Sequence, residues 1–205
     1  MADQTDFLND ALGQIGATRI TAIDDGSLNA DYCGMFWPPM RRSLIRSHHW
    51  NFATDQAQLA LNTGAPLFEF AFSYALPTDL LKVTTFNGEG VYSLVAPSFD
   101  GVNLQLYPYS GRYKILGRNL LSNDTPVFIE YLKDVENPDL WDMMFYQAAA
   151  AMLASKLALA IAKNAAMSRE LMQQATVILM PLAMAVDGQE GTELPYIVND
   201  LLRVR

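Results

Sequence analysis

Two histidines stand side by side at His48 and His49, and the single cysteine, Cys33, lies upstream of them. A metal centre or a nucleophile and base pair is the chemistry these residue types could support. Adjacent positions on a helix point about a hundred degrees apart, so the two imidazoles do not converge on one ion. No second Cys or His stands at the spacing of a zinc finger. A Cys33 and His48 pair would also need an orienting group and an oxyanion loop, and the sequence marks neither. Cys33 sits among apolar neighbours in DYCGMFW, so it reads as a small core residue that forms no internal disulfide.

The carboxylates give a similar answer. Asp24-Asp25, and Asp139 with Asp142, precede helical stretches, where acids complement the macrodipole. Glu69, Asp79, Glu89, Asp100 and Glu130 are scattered through the middle of the chain, with no spacing that suggests a glycosidase pair. Gly88, Gly90 and Gly111 are turn residues between strands, and no strand, glycine loop and helix run offers a phosphate cradle. Arg41, Arg42 and Arg46 form the densest basic patch. A solvated helix face is the plain reading, and pairing with acidic groups of a neighbouring subunit is the functional one. The sequence therefore predicts no catalytic residue, no cofactor and no metal site.

The elements that position these residues follow from periodicity. Phe7, Leu8, Ala11, Leu12 and Ile15 recur at helical spacing after Asp3 and Asp6, and Gly16 stands where a helix C-cap is wanted. A second helix is predicted from Ser27 to the Trp50 and Phe52 region. Pro38-Pro39 removes two backbone donors, so this helix is expected to kink or restart there. Trp50 is expected to close it as a core anchor. Asn51 to Gly64 reads as a transition, with Leu59 and Leu61 as anchors.

Beyond Gly64 the pattern alternates. Phe68, Phe70, Phe72 and Tyr74 predict a strand with one aromatic face. Leu81 to Phe86 follows, with a hairpin turn at Asn87 to Gly90. Further strands are predicted at Val91 to Val95, Val102 to Tyr107, Tyr113 to Leu116 and Val127 to Leu132. After Asn137-Pro138 helical character returns up to about Lys163, and a last helix from Ala165 to about Met184 is bent or ended by Pro181. The expected fold class is α+β: an antiparallel helical bundle built from N- and C-terminal helices, a β-rich antiparallel insertion and an extended C-terminal tail. The parts are 1–63 and 135–186 (helical), 64–134 (insertion) and 187–205 (tail).

Composition narrows the function. The chain has 205 residues, of which 51% are hydrophobic and only 18% charged, leaving less polar cover than an isolated monomer normally carries. Subunit contacts are the expected reason. A formal charge of −8 argues against a protein that grips nucleic acid by neutralising phosphates, because that needs clustered Lys and Arg. Met143 to Ala162 and Ala175 to Val186 are apolar but Ala-rich, so buried helices are expected and no membrane span. MADQTDFLND has neither a basic leader nor an apolar run, so no export is expected.

Several motifs together carry a resemblance. LNDALGQIG, ITAIDDGSLNADYC, RRSLIRSHHWNFA, YALPTDLLKV, GRNLLSND followed by VFIEYL, and the Ala-rich helix resemble the tail tubular protein A family of short-tailed bacteriophages and related prophage head-tail adaptors. The resemblance extends over nearly the whole chain, and HHWNFA and LPTDLLKV are its most specific pieces. The Pro38-Pro39 pair departs from it, since the family usually has a continuous helix there.

The resemblance implies a helical bundle with a β-rich insertion and a structural, non-enzymatic role. It also implies a ring of about twelve copies beneath the portal protein. The ring continues a channel through which double-stranded DNA passes without specific binding, and it attaches the tail nozzle. It further implies assembly in the host cytoplasm and residence at the head-tail junction of the virion. The end, DLLRVR, looks like the basic tails of these adaptors. Leu201, Leu202, Arg203 and Arg205 are accordingly expected to dock on a partner, beside Arg41, Arg42 and Arg46. The alternatives are a tail-associated cell-wall hydrolase using the carboxylates of the β-rich part, or a carbohydrate-binding module using the Phe68 to Tyr74 aromatic face.

Overall fold

The computed structural model describes residues 3–87, 89–90 and 113–190. It is a mixed α+β chain. Contacts divide it into two compact units, one of Met1–Leu44, Trp50–Phe52 and Val135–Arg205, the other of Ile45–His49 and Ala53–Asp134.

The first unit holds the helices, except for the last residues of the second one, 45–47. α1 spans Gln4–Gln14 and starts at a capping box in which Asp3 and Asp6 each accept from the other's end of the first turn. Phe7, Leu8, Ala11 and Leu12 form its buried face, and Gly16, with a φ of 69°, follows its end. α2 spans Leu28–Ser47, with the Ser27 hydroxyl accepting from the Ala30 amide. The expected interruption at Pro38-Pro39 does not occur, and both prolines lie inside one helix. The carbonyls they leave without donors belong to Gly34 and Met35, on the half-buried to exposed side, where water can satisfy them. The helix stops at Ser47, so His48 and His49 lie just beyond it.

α3 spans Met143–Ala160 and begins at Asp142, whose side chain accepts from the Met144 and Phe145 amides. It packs against α1 and against the last helical stretch, which consists of α4 (Ala165–Gln173), a π-helical segment (Gln174–Leu179) and α5 (Met180–Glu190). The π segment precedes Pro181. The proline ring crowds the carbonyl four residues back, and the wider turn, in which the Met180 amide reaches Ala175 O, relieves that crowding. Helix continues to Glu190, so the expected tail does not begin at Asp187. Asp187 is buried, accepts from the Asn51 amide at 2.9 Å, and takes the Asn51 side-chain amide on its own carbonyl at 2.7 Å.

Aromatic rings fill this unit's core. Phe7 meets Trp37 at 4.4 Å between centroids, and Trp141 at 5.2 Å, while Trp50 meets Phe145 at 4.8 Å. Trp50 is fully buried, as the sequence predicts for an anchor, and its indole donates to Leu44 O. Cys33 is buried as well, and burial pushes its thiol up to about 11.

The second unit holds two antiparallel sheets. The first has the order β1-β8-β4-β5, made of Thr54–Gln58, Phe128–Lys133, Leu80–Phe86 and Glu89–Gly90. The second has the order β2-β3-β7-β6, made of Ala60–Leu61, Phe72–Ala75, Asn119–Ser122 and Tyr113–Leu116. Val83, Phe86, Ile129 and Tyr131 of one sheet and Tyr74 and Leu120 of the other share a hydrophobic cluster with Leu59 and Val127.

β structure thus starts at Thr54, ten residues earlier than the turn at Gly64 suggests. TDQAQ carries no apolar alternation, and its strand character comes from pairing, Thr54 opposite Leu132 through Gln58 opposite Phe128. The predicted aromatic strand is cut short too. Only Phe72 and Tyr74 lie on β3, while Phe68 and Phe70 belong to the loop before it. The strands predicted at 91–95 and 102–107 lie outside the described residues.

Candidate interaction surfaces

The basic triplet does not form one surface. Arg41 is buried, its Nη2 sits 2.7 Å from Glu136 Oε1, and its guanidinium lies over the Trp37 ring at 5.9 Å. This arginine is occupied within its own unit and is withdrawn from the expected partner-binding set. Arg42 and Arg46 are exposed, and Arg46 donates to Leu81 O at 3.1 Å. Leu201, Leu202, Arg203 and Arg205 lie outside the described residues.

The candidates for chemistry are likewise dispersed. His49 Nε2 lies 3.5 Å from Glu130 Oε1 but makes no hydrogen bond. Glu130 is also within reach of Gln56, Thr84 and Thr85, so it serves as a cross-strand hub. Glu69 pairs with Lys114 at 2.9 Å, and Asp79 Oδ1 is 3.5 Å from the Tyr131 hydroxyl. Burial together with the charges of Asp79 and Asp55 pushes that phenol up to about 12. These groups stabilise strands and turns. Among the described residues no three of His, Cys, Asp and Glu form a group that could hold a metal ion. The aromatic face needed for sugar stacking is not assembled either, because Tyr74 is buried with its hydroxyl donating to Asp124 O.

What the helical unit does present is apolar surface. On α2, Leu28 and Met35 are exposed, and Tyr32 and Phe36 stack beside them at 6.1 Å between parallel rings. Positions 28, 32, 35 and 36 fall at the spacing of one helical stripe. On the last helical stretch Val177 is 65% exposed and Ile178 is 60% exposed, with Leu182 one turn further on. The inward face there is Ala175, Met180, Ala183 and Asp187.

Both Met143–Ala160 and Ala165–Glu190 are long and apolar enough to cross a membrane, yet they differ in burial, with 56% of the first and 22% of the most apolar 18 residues of the second inside the fold. α3 is a core helix by that measure. Sequence reasoning singled out α3 as apolar but missed the exposed stripe on α2, because an apolar stripe reads the same whether it faces a core or a partner. No protein-family model matches the chain, and no curated protein matches it.

Proposed function

We propose that this chain is a structural assembly subunit of the head-tail adaptor type. In this reading its helices form an antiparallel bundle, its β-rich unit is an insertion in the chain between them, and copies associate in a ring beneath a portal protein, with a tail nozzle attached below. The carrying observation is the exposed apolar stripe of Val177, Ile178 and Leu182 on a helical stretch whose most apolar 18 residues are only 22% buried. Isolated exposed hydrophobes are ordinary, whereas a helical stripe of them signals a protein contact. Gln173, Gln174 and Thr176 are exposed beside that stripe, and such polar neighbours suit a protein partner better than acyl chains.

The charge supports the same reading. At −8 per copy, an assembled ring repels a polyanion from its walls, which favours the sliding of DNA over its retention. The resemblance of several motifs to tail tubular proteins supports the specific assignment. Electron microscopy of the purified chain, alone and mixed with a short-tailed phage portal protein, tests it. Ring-shaped density on the portal's distal face is the expected result. Absence of any association with portals, together with unaltered mobility of the chain when they are mixed, would overturn the assignment.

A further inference from the structure

The β-rich unit carries a projection and a recess whose chemistries match. The projection is the loop between β2 and β3. Its base is closed by Asn62, whose amide donates to Ser73 O at 2.8 Å, and by Ala71, whose amide donates to Asn123 Oδ1 at 2.8 Å. At its tip Leu67 is 97% exposed and Phe68 is 71% exposed. Glu69 follows with a φ of 71°, and the Phe70 amide donates to Phe68 O across it, the γ-turn of the rare positive-φ kind. Glutamate gains nothing from that backbone, which persists only where surrounding contacts enforce it. Here the Glu69 to Lys114 ion pair ties the turn to β6. The loop holds two large apolar side chains out in water with an acid beside them.

The recess has a volume of about 310 Å³, at the small end of the roughly 300–1,000 Å³ range of ligand sites. Leu80, Val83 and Ile115 give it apolar walls, Arg46, Lys82 and Arg118 give it three cations, and no carboxylate lines it. In a chain of net charge −8 such a cluster is conspicuous.

Lys114 and Ile115 are adjacent on β6, so their side chains point to opposite faces of the sheet. Lys114 holds the projection and Ile115 lines the recess. The two features therefore lie on opposite faces of the second sheet. A knob and a hole placed this way propagate head to tail, which gives a closed ring or an open filament.

We infer that the Leu67-Phe68 tip of one copy inserts into the recess of a second copy, with Glu69 Oε1, the carboxylate oxygen not on Lys114, facing Arg46, Lys82 and Arg118. The inference deepens the assembly reading and rests on it only for the presence of further copies. It commits the β-rich unit to a subunit contact of its own. The knob supplies the anchoring area and the charges set the register.

The test uses the full chain in sedimentation velocity over a wide concentration range, with L67S/F68S as a knob variant and K82E/I115E as a recess variant. All the substituted side chains are exposed, so circular dichroism and melting should stay unchanged. Each variant alone should self-associate on the order of 100-fold more weakly than the parent. Mixed together they should form a one-to-one complex and stop, because one sound knob and one sound recess remain. A parent chain that stays monomeric at every concentration would overturn the inference, and so would variants that assemble like the parent or a mixture that forms no pair. If rings form with portals while the variants have no effect, the adaptor assignment survives and this contact does not.

Discussion

At the residue scale, the three indoles separate packing from hydrogen bonding. Trp50 and Trp141 donate to Leu44 O and Val135 O, whereas the Trp37 Nε1 is buried with no partner. A buried donor left unmade costs free energy that a made one does not. Trp37→Phe keeps most of the ring and deletes the orphan donor, so it should destabilise the protein less than Trp50→Phe, by roughly 1–2 kcal/mol in denaturant melts. Equal losses would show that indole volume alone decides. Cys33 allows a second check. Its folded thiol is pushed up to about 11 by burial, against about 8.5 in an unfolded chain. A group raised on folding contributes stability below its unfolded value and loses it as pH rises. Stability should therefore decline from about pH 8.5 in the wild type, whereas in Cys33→Ala the decline should start only near about pH 10, where Tyr131, also raised on folding, begins to contribute. The thiol should also resist alkylation until the protein is unfolded.

At the element scale, local pattern was most informative where an element carries its own signal and least where a partner imposes the structure. α1, α3 and the β4 strand are readable from caps and spacing. β1 is not, because TDQAQ has no alternation, and its ladder with β8 is a long-range fact. The Pro38-Pro39 pair suggested a break because propensity counts lost donors, while the aromatic packing around Trp37 holds the helix through them. The end of α5 shows the same override. Gly188, Gly191 and Pro195 argue for a tail from Asp187, yet Asp187 is buried and satisfies Asn51. Truncation after Glu190 keeps the whole of α5 and serves as the reference for a shorter chain. Truncation after Val186, or Asp187→Ala, should cost roughly 1–3 kcal/mol because the Asn51 amide loses its acceptor. Equal melts for the two truncations would remove Asp187 from that role.

At the scale of the whole molecule, the long Ala53–Asp134 segment of the β-rich unit starts and ends at one place. Thr54 is opposite Leu132 in the β1 and β8 ladder, which brings the Ala53 and Lys133 ends side by side. The change of period at Gly64 falls inside this unit, whose strands begin at Thr54. The candidate interface was less legible still, because exposure of Leu67, Phe68, Val177 and Ile178 depends on what the tertiary fold leaves uncovered, and alternation assigned Phe68 to a buried-looking strand. The boundary has a measurable consequence. Replacing residues 54–133 by a short Gly-Ser linker should leave a helical unit that melts cooperatively, since neighbouring antiparallel strands are only about 5 Å apart and a short bridge spans them without strain. Replacing residues 64–134 instead keeps Thr54–Gln58 and Ala60–Leu61 but deletes both of their ladder partners, β8 and β3. Those strand-forming residues then hang from the helical unit with open edges, which invite pairing between chains. The first deletion should be monodisperse at concentrations where the second aggregates, as read by light scattering beside circular dichroism. If the two behave alike, β1 belongs to the helical unit in energetic terms and the unit boundary at Ala53 is only geometric.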